Sequence, residues 1–177
     1  MRKLCMAAVC GAMLLLTGCP YNSKHQLGAP SARVFDAAIL GAWTGCSAEK
    51  PADCGRLAIY RFNEAEYYAE LTGIERPGSN RNINITTDRY RAFMTDIGAP
   101  WLLDVQELSV STDTSGAHFF VKTELLADDT LNVSYISDEF TREKFSTAGE
   151  LADYIRKNHT KPGFYETLRA FNRERTE

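Results

Sequence analysis

The stretch Leu57-Ala58-Ile59-Tyr60-Arg61-Phe62-Asn63-Glu64-Ala65-Glu66-Tyr67-Tyr68-Ala69-Glu70-Leu71 decides the fold class. Leu57, Ile59 and Arg61 alternate with Ala58, Tyr60 and Phe62; the polar quartet Asn63–Glu66 interrupts; Tyr67, Ala69 and Leu71 resume the row. A period of two sends successive side chains to opposite faces of a strand, and a short polar break between two such runs is a hairpin.

The same period extends outward. Before it, Leu40-Gly41-Ala42-Trp43-Thr44 reads as a first strand. After it, Pro77-Gly78 breaks the chain. Tyr90, Ala92 and Met94 then oppose Phe93, Thr95 and Ile97, and Gly98-Ala99-Pro100 ends that run. Trp101, Leu103 and Val105 begin the next. Phe119–Leu125 follows the Ser115-Gly116 turn, and Leu131–Tyr135 follows Asp128-Asp129. About seven strands joined by short loops define an antiparallel meander, either closed into a barrel or left as a curved open sheet. The C-terminal quarter changes period. Thr147-Ala148-Gly149-Glu150 is spaced as a capping box, and Leu151, Tyr154 and Ile155 stripe the helix it would start, with Asn158 as its stop. Phe164, Leu168 and Phe171 recur at helical spacing and predict a second helix. The fold expected is therefore β-rich α+β, a meander with two C-terminal helices, in one domain over residues 34–177.

Composition excludes several classes. The 177 residues hold 20 Lys+Arg against 23 Asp+Glu, so no basic footprint for nucleic acid exists, and 44% apolar residues are too many for a disordered chain.

At the N-terminus Arg2 and Lys3 precede a weakly polar to apolar run from Leu4 to Gly18. As a helix it rises only about 22 Å, against a hydrocarbon core of about 30 Å, which suits a secretory signal better than a membrane span. It ends in Leu16-Thr17-Gly18-Cys19. This resembles the lipobox of bacterial lipoproteins. The resemblance implies cleavage after residue 18, lipidation of Cys19 and residence in the cell envelope. Pro20, not Asp, follows the Cys, which for that class implies the outer membrane, here expected on the periplasmic side. Residues 20–33 show no periodicity and are expected to form, with Cys19, a flexible tether of about 20 Å, with His25 solvated in it. With Cys5 and Cys10 removed and Cys19 lipidated, Cys46 and Cys54 remain in an oxidising compartment. A disulfide between them is expected to add about 2.5 kcal/mol; a two-Cys metal site lacks a nearby third ligand.

Gly41-Ala42-Trp43 resembles the opening motif of lipocalins, and Thr87-Asp88-Arg89-Tyr90 is faintly similar to their second. The resemblance implies an eight-stranded barrel whose closed end is plugged by the Trp. Thr44 stands where an aromatic residue often follows, and no arginine is assigned to the third motif.

Catalytic signatures such as His-Glu-x-x-His, Gly-x-Ser-x-Gly and the P-loop are missing, so no catalytic residue, metal ligand or cofactor is assigned. His118, on a strand, could act as acid or base only from a cavity; His159 is read beside a helix C-terminus. Glu64 with Glu66, Asp128 with Asp129 and Asp138 with Glu139 are clustered carboxylates, the first two pairs read as solvated turn residues. Asp88-Arg89-Tyr90-Arg91 reads as a solvated face or as a polar patch in a lumen. Arg169, Arg173 and Arg175 among Glu166, Glu174 and Glu177 read as a salt-laced helix. Aromatic residues on strands are the candidates for lining an apolar pocket: Trp43, Tyr60, Tyr67, Tyr90, Trp101 and Phe119. The expectation is a non-enzymatic envelope lipoprotein, held to the membrane through Cys19, that binds a small apolar ligand or an envelope protein. An accessory role in an envelope complex and an envelope hydrolase are the alternatives.

Overall fold

Alternation, turns and one interrupted row build the architecture. The computed structural model describes residues 20–46, 53–75, 84–98, 100–108, 116–139, 141 and 145–175; the expected signal segment 1–18 and the expected lipidation site Cys19 lie outside them. The seven strands expected are present: β1 (Gly41–Cys46), β2 (Cys54–Arg61), β3 (Glu66–Glu75), β4 (Asn84–Met94), β5 (Leu103–Glu107), β6 (His118–Leu125) and β7 (Thr130–Ile136). The expected first helix is α1 (Ala148–Asn158). Thr147 caps it by accepting from the Glu150 N–H, while Glu150 reaches back to the Ser146 N–H, one residue earlier than the standard box.

The second helix is a correction. The segment after Gly163 is an eighth strand, β8 (Tyr165–Arg173), which pairs with β7 and returns to β1, setting Trp43 opposite Arg173 and Thr44 opposite Asn172. The sheet thereby closes into an antiparallel barrel in strand order β1 to β8, and the open-sheet alternative falls away. A register shift between Val133 and Ser134 explains the misleading period: Val133 faces Arg169, yet Ser134 faces Thr167, so Leu168 is an extra residue. Leu168 at the bulge and Phe171 beyond it both line the lumen, so the inward row takes one spacing of three among its twos; Phe164, the third apolar residue of the apparent helical stripe, belongs to the outer cluster. The salt-laced helix goes with it, since these charges pair across strands, Arg169 with Asp53, Arg173 with Asp129 and Glu174 with Arg56.

Two cores share the one sheet. Inside the barrel, Trp43, Ile59, Tyr67, Leu131, Val133 and Phe171 pack together. Outside, over the strands β5–β7, Leu27, Phe120, Ile136, Leu151, Ile155 and Phe164 form a second cluster beneath α1. Leu27 belongs to the segment expected to be a tether, which is a second correction. Tyr21 donates its N–H to the Ile136 carbonyl at 2.9 Å, and Ser23 pairs with His118 through two bonds of 2.8 Å. Leu27 is fully buried, and its N–H reaches the Asp104 carboxylate at 2.7 Å. Residues 20–27 are thus a strap on the barrel. Two apolar side chains, Tyr21 and Leu27, find an uncovered apolar strip beside α1, and their burial outweighs the entropy of a free segment. His25, expected in solvent, is half-buried with its Nε2 3.0 Å from the Phe145 carbonyl.

The expected Cys46–Cys54 disulfide is present and ties the facing ends of β1 and β2, where the two residues are register partners.

Candidate functional site

One end of the barrel is closed. Two short 3-10 turns, Ala32–Val34 and Ala37–Ile39, precede β1 and lie across this end. Trp43 sits above them, fully buried, donating its indole N–H to the Ile39 carbonyl at 3.0 Å. The guanidinium of Arg173 covers the indole at 4.1 Å and donates to the carbonyls of Leu40 and Ala38 at 2.9 and 2.8 Å. Gly41 makes this possible: its φ of +127° suits glycine, and a Cβ there would stand 3.1 Å from the Arg173 guanidinium. Tyr67 completes the floor, stacked on Phe35 at 4.5 Å, with its hydroxyl accepting from the Asp36 N–H at 2.7 Å.

Above the floor the lumen is apolar. A cavity of about 110 Å³ lies among inward residues of seven strands, β2 to β8, including Ile59, Ala69, Ala92 and Val105. It continues into a vestibule of about 280 Å³ at the other end. Leu71, Tyr90, Phe119, Val121, Val133 and Leu168 line both. An eight-stranded barrel is wide enough either to fill with side chains or to hold one small ligand, and here filling is incomplete. Leu57, Leu71 and Phe119 point inward yet are only half-buried, because the lumen is open beside them. Polar groups gather at the mouth. Glu107 faces the vestibule, the Tyr135 hydroxyl donates to Glu166 at 3.0 Å, and Ser137 bonds the other oxygen of that carboxylate. Burial pushes the Tyr90 hydroxyl far above its ordinary value, with Asp88 and Glu107 adding to the shift, so it stays a neutral donor. Pro20 and Asn22 of the strap form one side of the rim.

Of the six aromatic residues expected to line a pocket, the structure brings Tyr67, Tyr90 and Phe119 into the lumen. Trp43 lies in the floor instead. Tyr60 is a correction: it is on the outer face, half exposed and stacked on Tyr68. Trp101 is another, exposed in the β4–β5 connection beside Phe35 and Asp36. Its alternation with Leu103 suggested a strand face, but β5 begins only at Leu103. The aliphatic lining, Ile59, Val105 and Val133 among others, lies outside the expected set. Its signal in the sequence is the parity of the alternation itself. In Asp88-Arg89-Tyr90-Arg91 the two readings divide by parity: Tyr90 faces in, while Arg89 and Arg91 face out and pair with Glu70 and Glu66 at 3.3 and 2.7 Å. Glu66, read as part of a solvated turn, is instead the buried first residue of β3.

His118 is not in the lumen. It lies under the strap on the outer face, with Nδ1 2.6 Å from the Asp104 carboxylate. Burial raises the Asp104 carboxyl above its ordinary value, against the lowering pull of the Leu27 N–H and of His118. The adjoining groove is lined by Gln26, Pro30, Glu66, Arg91, Gln106 and Phe93, with no serine or cysteine among its lining residues. Asp104 is committed to holding the strap, and the pair stands as a structural latch. Among the described residues no helix is long and apolar enough to cross a membrane, which says nothing of strands.

The chain matches no family model, no curated protein and no solved structure at a significant level.

Proposed function

We propose that this is a lipid-anchored protein of the bacterial cell envelope whose barrel binds a small apolar ligand in its lumen, without catalysing a reaction on it. The apolar cavity continuous with an open vestibule carries the reading. Its walls are aliphatic and aromatic, and its few polar groups sit at the rim, the distribution expected of a site that orients an apolar molecule by one end. The lipobox at Leu16-Thr17-Gly18-Cys19 supports the anchor and, with Pro20, the outer membrane. The lipocalin resemblance gains support from the closed eight-stranded barrel with Trp43 in its floor.

The neutral fluorophore N-phenylnaphthylamine tests the reading. The wild-type chain is expected to bind it with a rise in emission. Ala69→Phe, which places a ring in the lumen beside Tyr90, is expected to lower the affinity at least about tenfold, equivalent to about 1.4 kcal/mol, while remaining folded by circular dichroism. Equal binding by both chains would show that the probe sits elsewhere and would overturn the reading.

A further inference from the structure

We infer that the mouth of the barrel faces the membrane holding the anchor, so that the lumen loads from the bilayer rather than from the aqueous phase. The inference rests on the lumen-binding and Cys19-anchor readings above and adds an orientation and a route to them. It comes from the strap. Residues 20–23 alternate like a strand: Tyr21 and Ser23 turn toward the outer core, whereas Pro20 and Asn22 turn to the mouth and line the vestibule. No slack separates this rim from the barrel wall, because Pro20 already bridges Ser137 and the next N–H, of Tyr21, is bonded to Ile136. Pro20 is covalently joined to Cys19, and consecutive Cα atoms lie about 3.8 Å apart. Acyl chains on the Cys19 sulfur would therefore enter the bilayer within a residue of the opening. A free tether of fourteen residues would have left the orientation unspecified; a strap fixed at the rim specifies it. The occupant that fits is a neutral or polar-headed hydrocarbon already dissolved in the bilayer. The walls offer it only apolar contact, and the acidic rim of Glu107 and Glu166 disfavours an anionic head.

The two tryptophans make the inference measurable, because Trp43 lies in the floor and Trp101 projects from the closed end, a barrel length of about 20 Å from the mouth. The processed, lipidated chain is reconstituted in phosphatidylcholine vesicles carrying nitroxide-labelled lipid. A Leu108→Trp, Trp101→Phe chain, with its new indole at the mouth end after β5, is expected to lose most of that indole's emission, whereas Trp101 of the wild type keeps its own. Equal quenching of the two positions, or stronger quenching of Trp101, overturns the orientation. A Trp101→Phe chain then reports lumen loading through Trp43, with bromododecane supplied in the vesicles as quencher. Placing a long Gly-Ser spacer between Cys19 and Pro20 is expected to slow the onset of Trp43 quenching severalfold and to leave its final extent unchanged. An unchanged rate overturns the route. No quenching at equilibrium in either chain defeats the lumen-binding reading instead, and a mature chain without lipid mass on Cys19 removes the anchor and with it the inference.

Discussion

At the residue scale, Asp104 shows how one side chain can serve the outer core at a cost. It is buried at 1% exposure and bonded to both the Leu27 N–H and His118. Its carboxyl is raised from the ordinary value chiefly by burial. The folded protein therefore holds this proton more tightly than the unfolded chain. The stability that follows is complete below the unfolded carboxyl value of about 3.9 and is lost as pH rises through the higher folded value. Asp104→Asn keeps an oxygen for the Leu27 N–H without the charge. Relative to wild type, it is expected to gain stability between about pH 3.5 and pH 7, both sides of the carboxyl range. Urea midpoints of both chains across that interval check it, and a constant difference would refute the assignment. The Trp43–Arg173 pair is the counterpart in the inner core. Its parts are 130 residues apart and meet only because β8 returns to β1.

At the element scale, β8 decides whether there is a lumen at all. Without it, β7 and β1 would be free edges, open to pairing with another chain. The closing seam is tight: a Cβ on Gly45 would lie 2.3 Å from the Ala170 carbonyl oxygen, backbone that cannot swing aside. Gly45→Ala is expected to destabilise the protein by about 1–3 kcal/mol, the usual cost of overpacking. Gly73→Ala meets only the Thr86 hydroxyl at 3.1 Å and should cost less. Denaturant unfolding of the two variants checks the order. The strap is the other element whose role the chain order hides. It contributes two apolar side chains to the outer cluster and two rim residues to the mouth.

At the scale of the whole molecule, the two cores divide the barrel unequally. β5 and the mouth-end halves of β6 and β7 are covered inside by the lumen residues and outside by the strap and α1, whereas the outer faces of β2 and β3 carry exposed side chains such as Tyr60. Local opening costs most where both faces are packed. Native-state hydrogen exchange should therefore find amides around Asp104, Phe120 and Ile136 slower than those around Tyr60 and Tyr68. A reversed order would mean that strap and helix add no protection.

The sequence alone determined the first seven strands, the first helix and its cap, and the disulfide partners, because each depends on residues near in the chain and on a period that needs no distant neighbour. Even the apolar lining was legible in principle as the inward parity of each row; Tyr67, Tyr90 and Phe119 are named for being aromatic and on strands, a criterion that also takes in the outward-facing Tyr60. What only the tertiary structure decided was β8, the strap and the arginine over Trp43. A bulge changes parity only in relation to the partner strand opposite it. A segment without period becomes ordered only when an uncovered apolar surface is waiting. A cation finds its ring only after the barrel has closed. Closure is a property of the whole sheet, carried by pairs more than 120 residues apart, and no local pattern encodes it.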